Sequence, residues 1–275
     1  MARRISIGLV QLGASRSKDE AVRRVERIVG SIEDEVDILV FPEYAMMDPT
    51  GLDAEAIYNV SESLEGPWVS LFRRIASERG SCVITTMFER GSRGKAYNTA
   101  VLIDSSGDVR GIYRKTHLFD VLGYRESDFL EAGGSLTPPI EACGLRIGIA
   151  ICFEIRYPEI FRFHALNGAD LVVVPSGWYR GDGKEEALRV LAQARAHENV
   201  VYIAVSVLYG ERFIGRSMLV NPLGIVEVDA GHGERISTGY IDVGLIEEAR
   251  RKMPLLQLMR RDIYTLSYSS TGTSS

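Results

Sequence analysis

The chain has 275 residues, 45% hydrophobic and 25% charged, which is ordinary globular composition and enough for one large domain with a sizeable core. The formal net charge is −5 and no basic block stands out, so nucleic acid and anionic membrane surfaces are poor partners. No run of about 18 apolar residues exists to span a bilayer, and "MARRISIGLVQLG" is too short in apolar core for a secretory signal, so a cytoplasmic protein is expected.

Strand and helix patterns then alternate along the chain. Ile5 to Gln11 predicts a first strand. Residues 18–33 predict a helix with Ala21, Val25, Ile28, Val29 and Ile32 on one face. "VDILVFPE" (36–43) is a short apolar run stopped by Pro42, as in a buried strand. "PWVSLFRRIASERG" (67–80) has proline at the first helical position and glycine at its end. "CVITTMFER" (82–90) reads as a strand, and residues 98–115 as a hairpin turning at Ser-Ser-Gly-Asp. "LRIGIAIC" (145–152) predicts a strand, 158–169 a helix ended by Gly168, and "DLVVVPS" (170–176) another strand. A long helix follows over 184–199, then strands over 200–207 and 216–230 with a turn at Asn221–Gly224, and a last helix over 243–252. No linker or repeat divides this pattern, so one domain over 1–265 is expected, with a polar tail over 266–275. Hairpins mixed with strand–helix units point to an α/β fold of large sheets covered by helices.

Three apolar strands end in a residue able to do chemistry: Glu43 after "ILVFP", Lys115 after "GIYR" and Cys152 after "IGIAI". Strand ends open onto the crevices where ligands bind in layered α/β folds. Taken singly, such a cysteine is more often buried and inert, and such a glutamate or lysine more often solvated. Together they have complementary chemistry. A thiol attacks only as thiolate and needs a base, a partly buried carboxylate can take that proton, and an ammonium can stabilise the oxyanion that forms. The combination breaks a C–N bond through a thioester. The other cysteines, Cys82 and Cys143, sit in strand patterns and read as inert. An odd cysteine count without CxxC spacing argues for a reducing compartment rather than a disulfide framework. The four histidines are scattered, so no metal site is expected, and no other cofactor is implied.

The segments "FPEY" around Glu43, "YRKTHLFD" around Lys115 and "ICFEIRYPE" around Cys152 resemble the nitrilase, or carbon–nitrogen hydrolase, superfamily. They occur in that family's order, with "YNTA" (97–100), "YRESD" (124–128), "QARAHENVVYI" (193–203), "GRSMLVNPLG" (215–224) and "RDIY" (261–264) in support. The resemblance implies a four-layer α-β-β-α sandwich and a Glu-Lys-Cys triad: Cys152 the nucleophile, Glu43 the general base, and Lys115 the oxyanion stabiliser and acid. It implies the backbone N–H of Phe153 as the oxyanion hole and Glu126, in "YRES", as a second glutamate orienting the lysine or the substrate amide. It also implies a homodimer or higher homo-oligomer, with residues near 254 to 268 crossing to the partner. Where the family more often has Asp two positions after the cysteine, this chain has Glu154.

Other residues have plainer readings. His117 shares the side of Lys115 and suits a hydrogen-bonding role better than that of base. Arg156 and Glu159 read as a structural ion pair, and Arg189, Arg195 and Glu198 as exposed or interface charges. Tyr44, Ser176 and Trp178 are candidates for the substrate wall. Arg125 and Arg180, in loops at 120–130 and 176–184, are candidates to grip a substrate carboxylate. The expected activity is cofactor-independent hydrolysis of small carboxamides to ammonia and a carboxylic acid, as in the ω-amidase-like branch. An N-carbamoyl amine hydrolase or a nitrilase would use the same triad. A non-catalytic scaffold or a thiol redox sensor based on Cys152 is the rival of another class.

Overall fold

Alternation of side chains about the first strand decides what each of its faces buries. In the computed structural model, which describes residues 4–92 and 94–268, that strand is β1 (Arg4–Gln11). It is followed by α1 (Lys18–Gly30), β2 (Ile38–Val40), α2 (Ala54–Val60), α3 (Pro67–Arg79), β3 (Cys82–Arg90), β4 (Ala96–Ile103) and β5 (Val109–Arg114). Short strands β6 (Asp120–Val121), β7 (Tyr124–Arg125), β8 (Leu130–Glu131) and β9 (Ile140–Ala142) lead to β10 (Leu145–Ile149) and α4 (Pro158–Leu166). The rest is β11 (Leu171–Ser176), α5 (Lys184–Asn199), β12 (Tyr202–Val207), β13 (Met218–Val220), β14 (Val226–Asp229), β15 (Arg235–Asp242) and α6 (Val243–Lys252).

The strands form two large sheets. One runs β15-β1-β2-β3-β4-β5, with β8 beside β4, and the other runs β14-β13-β12-β11-β10-β9. Ile7 and Leu9 of β1, Val40 and Ile84 share one core with Ile147, Ile149, Leu171 and Val173 of the second sheet. Val10, Leu39, Val83 and Val101 point the other way and pack on Val25 and Ile28 of α1 and Phe72 and Ile75 of α3. Ile160 and Phe161 of α4 and Leu188, Ala192 and Ala196 of α5 cover the far face of the second sheet. The result is the four-layer α-β-β-α sandwich that the resemblance implies. It explains why β2, β3, β11 and β12 are apolar runs rather than alternating ones: both faces are covered.

Several expectations are corrected. Cys82 and Cys143 form a disulfide, 61 residues apart in sequence, that joins the start of β3 in one sheet to the β9–β10 turn in the other. The odd cysteine count misled because it is a pair plus one free thiol, Cys152. The strand expected over 145–152 stops at Ile149, because Cys152 opens a 3-10 turn over Cys152–Arg156. Six elements lie outside the sequence expectations: the short strands β6 to β9, helix α2 and strand β15. Helix α2 is only seven residues long, capped by the Asp53 carboxylate accepting from Ala56 N at 2.8 Å. Strand β15 pairs with β1 along eight residues but only Gly239 and Ile241 are buried and few of its residues are apolar, so its signal is weak. The expected polar tail falls, from residue 269 on, outside the described residues. Just before it, Tyr268 donates to Glu159 O at 2.9 Å within the same chain. No helix among the described residues is long and apolar enough to cross a membrane.

Candidate active site

β2 runs parallel to β1 and β3, β10 and β11 run parallel to one another, and β5 returns parallel to β3 by way of β4. Their C-terminal ends therefore open toward one side, where the two sheets' edges form a narrow pocket. Glu43 lies three residues beyond β2, after Pro42 has ended the strand. Lys115 directly follows β5, its N–H bonded to Asn98 O at 2.9 Å. Cys152 lies three residues beyond β10 and Glu126 directly follows β7. All four line this pocket. Cys152 has φ +47° and Tyr44, next to Glu43, φ +58°. Neither is glycine or asparagine, so both chain reversals hold their residues in a sparsely populated backbone region.

Lys115 sits between two carboxylates. Its Nζ lies 2.8 Å from Glu43 Oε1 and 2.9 Å from both carboxylate oxygens of Glu126, and all three side chains are about 1% exposed. Each glutamate is held from a second direction. Glu43 accepts from Asn98 Nδ2 at 2.8 Å and from Gly177 N at 2.7 Å, while Glu126 accepts from Phe119 N at 2.6 Å and from the Tyr44 hydroxyl. Burial alone would discharge the lysine, but the charges of Glu126 and Glu43 outweigh it and hold the ammonium well above its ordinary proton affinity. Burial pushes the Glu43 carboxyl up from its ordinary 4.5, with Lys115 opposing and Glu126 adding to the shift. Burial and the Glu43 charge likewise push the Cys152 thiol well up, only partly offset by Lys115. Burial thus favours the neutral thiol on Cys152, while the two carboxylates favour the charged form of Lys115.

Sequence reasoning missed how strongly Glu154 organises this site. Its Oε1 accepts from Tyr113 OH at 2.7 Å, Thr116 N at 2.9 Å, Thr116 Oγ1 at 2.7 Å and His117 N at 3.1 Å, and its Oε2 from Ile151 N at 2.7 Å. One buried carboxylate therefore ties the segment after Lys115 to the chain reversal bearing Cys152. Burial works against its charge, but hydrogen bonds from His117, Tyr113, Ile151 N and Thr116 hold its pKa below the ordinary value. The two-residue spacing from Cys152 was the available signal. His117 has the supporting place expected of it: its Nδ1 meets Thr116 Oγ1 at 2.9 Å and its ring stacks on Tyr157 at 4.1 Å. Arg195 was read as an exposed or interface charge, but it is 7% exposed and its Nε donates to Ile155 O at 2.9 Å, pinning the turn after Cys152 to α5.

Of the candidate substrate residues, Tyr44 and Trp178 line the pocket. Three do not. Ser176 is fully buried with its hydroxyl donated to Val174 O at 3.1 Å. Arg125 is exposed on the surface beside Asp128 at 3.2 Å. Arg180 turns outward, donating to Gly210 O at 3.1 Å across the ring of Tyr209. Two other cations line the pocket instead, Arg156 and Lys184. Arg156 does not make the expected ion pair with Glu159. Its guanidinium lies over Trp178, 4.1 Å from the ring centroid, and over Phe153 at 5.2 Å.

The chain matches the family model for carbon–nitrogen hydrolases over residues 6–251. It is 28% identical over 228 residues to the deaminated glutathione amidase of Escherichia coli O157:H7, covering 83% of this chain and 86% of that one. It is 33% identical to the mouse deaminated glutathione amidase over 220 residues, covering 74% of this chain and 68% of that one. In fold it is similar to a carbon–nitrogen hydrolase from Helicobacter pylori G27, with a TM-score of 0.88 at 22% identity over 95% of this chain and 97% of the other.

Proposed function

The chain belongs to the carbon–nitrogen hydrolase family, and from that premise we propose that it hydrolyses small carboxamides through a thioester on Cys152, releasing ammonia and a carboxylic acid. The observation that carries this reading is the buried ammonium of Lys115, 2.8 Å from Glu43 and 2.9 Å from Glu126, in the same pocket as Cys152. The amidase names of the relatives support the choice of amides over nitriles or N-carbamoyl amines.

The steps follow from the proton affinities. Cys152 Sγ attacks the amide carbon while its proton passes to the Glu43 carboxylate, whose raised pKa makes it a competent base. The carbonyl oxygen gains the negative charge and is met by the Lys115 ammonium and the Phe153 N–H, at the start of the 3-10 turn. The tetrahedral intermediate collapses, the C–N bond breaks, and Glu43 returns the proton to the nitrogen, which leaves as ammonia. Water then gives a proton to Glu43 and its oxygen to the thioester carbon. Collapse of the second intermediate breaks the C–S bond, and Glu43 reprotonates the departing thiolate. Glu126 takes no proton in this cycle; it keeps Lys115 charged and in place.

Ammonia release from a panel of amides, N-carbamoyl amines and nitriles, with wild type beside Cys152→Ala, tests the reading. Turnover of amides that Cys152→Ala abolishes supports it. Turnover of only one of the other classes transfers the same chemistry to that substrate. A folded wild type that releases nothing, with Cys152 oxidised reversibly by peroxide, favours the thiol-sensor reading.

A further inference from the structure

We propose that Tyr44 is a positioning residue for the amide hydrolysis: its hydroxyl holds Glu126 so that Lys115 keeps one N–H free for the oxyanion. This inference rests on the amidase reading above and adds to its machinery a side chain that takes no proton itself.

In extended backbone, successive side chains point to opposite faces. Glu43 and Tyr44 are consecutive, yet both reach the cluster around Lys115. Glu43 accepts from Lys115 Nζ directly, and Tyr44 donates its hydroxyl to Glu126, which accepts from the same ammonium. The reversal that allows this is φ +58° at Tyr44, a sparsely populated conformation for a tyrosine. Two packing features hold the ring there. It stacks on Phe88, with centroids 5.9 Å apart and planes 29° from parallel. It also lies against Gly177, where a Cβ would come within 2.6 Å of Tyr44 Cδ2 and 2.9 Å of Tyr44 Cε2. Tyr44 is buried, so solvent is a poor substitute for its hydroxyl.

The hydroxyl matters because of how the donors of the ammonium are shared. An ammonium has three N–H groups. One meets Glu43 Oε1 at 2.8 Å and one meets the Glu126 carboxylate at 2.9 Å, which leaves the third for the substrate oxygen. Glu126 leaves that third donor alone because its oxygens are met from elsewhere: Oε2 by Phe119 N at 2.6 Å, and Oε1 by Tyr44. Without the hydroxyl, the buried Oε1 keeps only the lysine as donor among the described residues. The ammonium is then drawn toward Glu126, away from Glu43 and from the oxyanion. Burial and the charges of Glu126 and Glu43 push the Tyr44 phenol well above its ordinary value, so it remains a donor throughout.

The test is Tyr44→Phe, which keeps the ring and deletes the hydroxyl. For an amide that wild type hydrolyses, kcat should fall about 10- to 100-fold, the scale of an ångström of misplacement, with KM changed by less than about twofold. A Glu126→Gln background separates positioning from packing. A hydroxyl that acts through the Glu126 charge has little left to hold there, so adding Tyr44→Phe should lower kcat by less than about threefold further. A second arm does not depend on turnover. Cys152 is the free thiol, and its alkylation by iodoacetamide reports on the ammonium and the base beside it. Tyr44→Phe should slow that alkylation about fivefold or more, again with little further effect on Glu126→Gln. Wild-type kcat in Tyr44→Phe overturns the inference, as does a loss of kcat that is undiminished in the Glu126→Gln background. A loss confined to KM also overturns it, and makes Tyr44 a substrate contact instead. If wild type hydrolyses no amide, the amidase reading fails, and the alkylation arm alone decides the link from Tyr44 to Lys115: slower alkylation supports it and equal rates overturn it.

Discussion

Residues buried around Lys115 titrate as one cluster, so pH should separate loss of chemistry from loss of fold. Glu43 has its pKa raised, chiefly by burial, and must be ionised to act as base. The acid limb of kcat/KM should therefore lie above the ordinary glutamate value of 4.5. Glu154 has the opposite shift. A carboxyl whose folded pKa is lowered contributes stability that is fully present above 4.5 and fades only as pH falls below it toward the folded value. Activity should thus decline while circular dichroism is unchanged, and an acid limb coincident with unfolding would refute this order. Replacing Glu154 by leucine strands five donors that now bond to it. We expect a loss of at least about 3 kcal/mol in urea denaturation. Glu154→Asp, one methylene shorter, should keep the fold at a smaller cost, and equal losses for the two variants would mean that the carboxylate is not what matters.

The elements that present the site do so through short, tight reversals, and these leave no room for added atoms. Gly177, just past β11, donates its N–H to Glu43. A Cβ there would lie 2.6 Å from Tyr44 Cδ2 and 3.1 Å from Glu43 Oε2. Gly177→Ala should move the base and lower kcat by tenfold or more, because an ångström of misplacement is enough to do so. A Gly177→Ala protein with wild-type kcat would contradict that. The same local rules explain what was legible in the sequence. Strands β2 and β10 are marked by apolar runs and β5 by its place as the return arm of a hairpin, and each is followed by a residue able to do chemistry, so Glu43, Lys115 and Cys152 could be singled out from one dimension. The course of the loops between 120 and 184 follows tertiary contacts that leave no periodic signal. The sequence pattern accordingly favours Arg125 and Arg180 over Arg156, which stacks on Trp178, and over Lys184, which belongs to the helical pattern of α5. Glu154 was visible as a departure in residue type, but its five bonds arise from two separate segments that only the fold brings together.

Across the whole molecule, the two sheets are joined by packing and by one covalent bond. The Cys82–Cys143 link closes a loop of 61 residues between them. Loop closure of that length corresponds to about 4 kcal/mol of stability on the chain-entropy account. It attaches at the start of β3, the end of that strand away from the pocket. Reduction, or Cys82→Ala/Cys143→Ala, should therefore lower the urea midpoint while leaving kcat/KM of the folded protein within about twofold; an unchanged midpoint would mean that the bond does not form in solution. The fold's central claim is that its strand ends converge to make Cys152 a nucleophile. Intact-protein mass spectrometry of enzyme quenched in acid during amide turnover tests it most directly. The predicted result is a mass increase equal to the acyl group, mapped to the peptide containing Cys152 and absent from Cys152→Ala. Continued turnover by Cys152→Ala, or an adduct on any other residue, would contradict it.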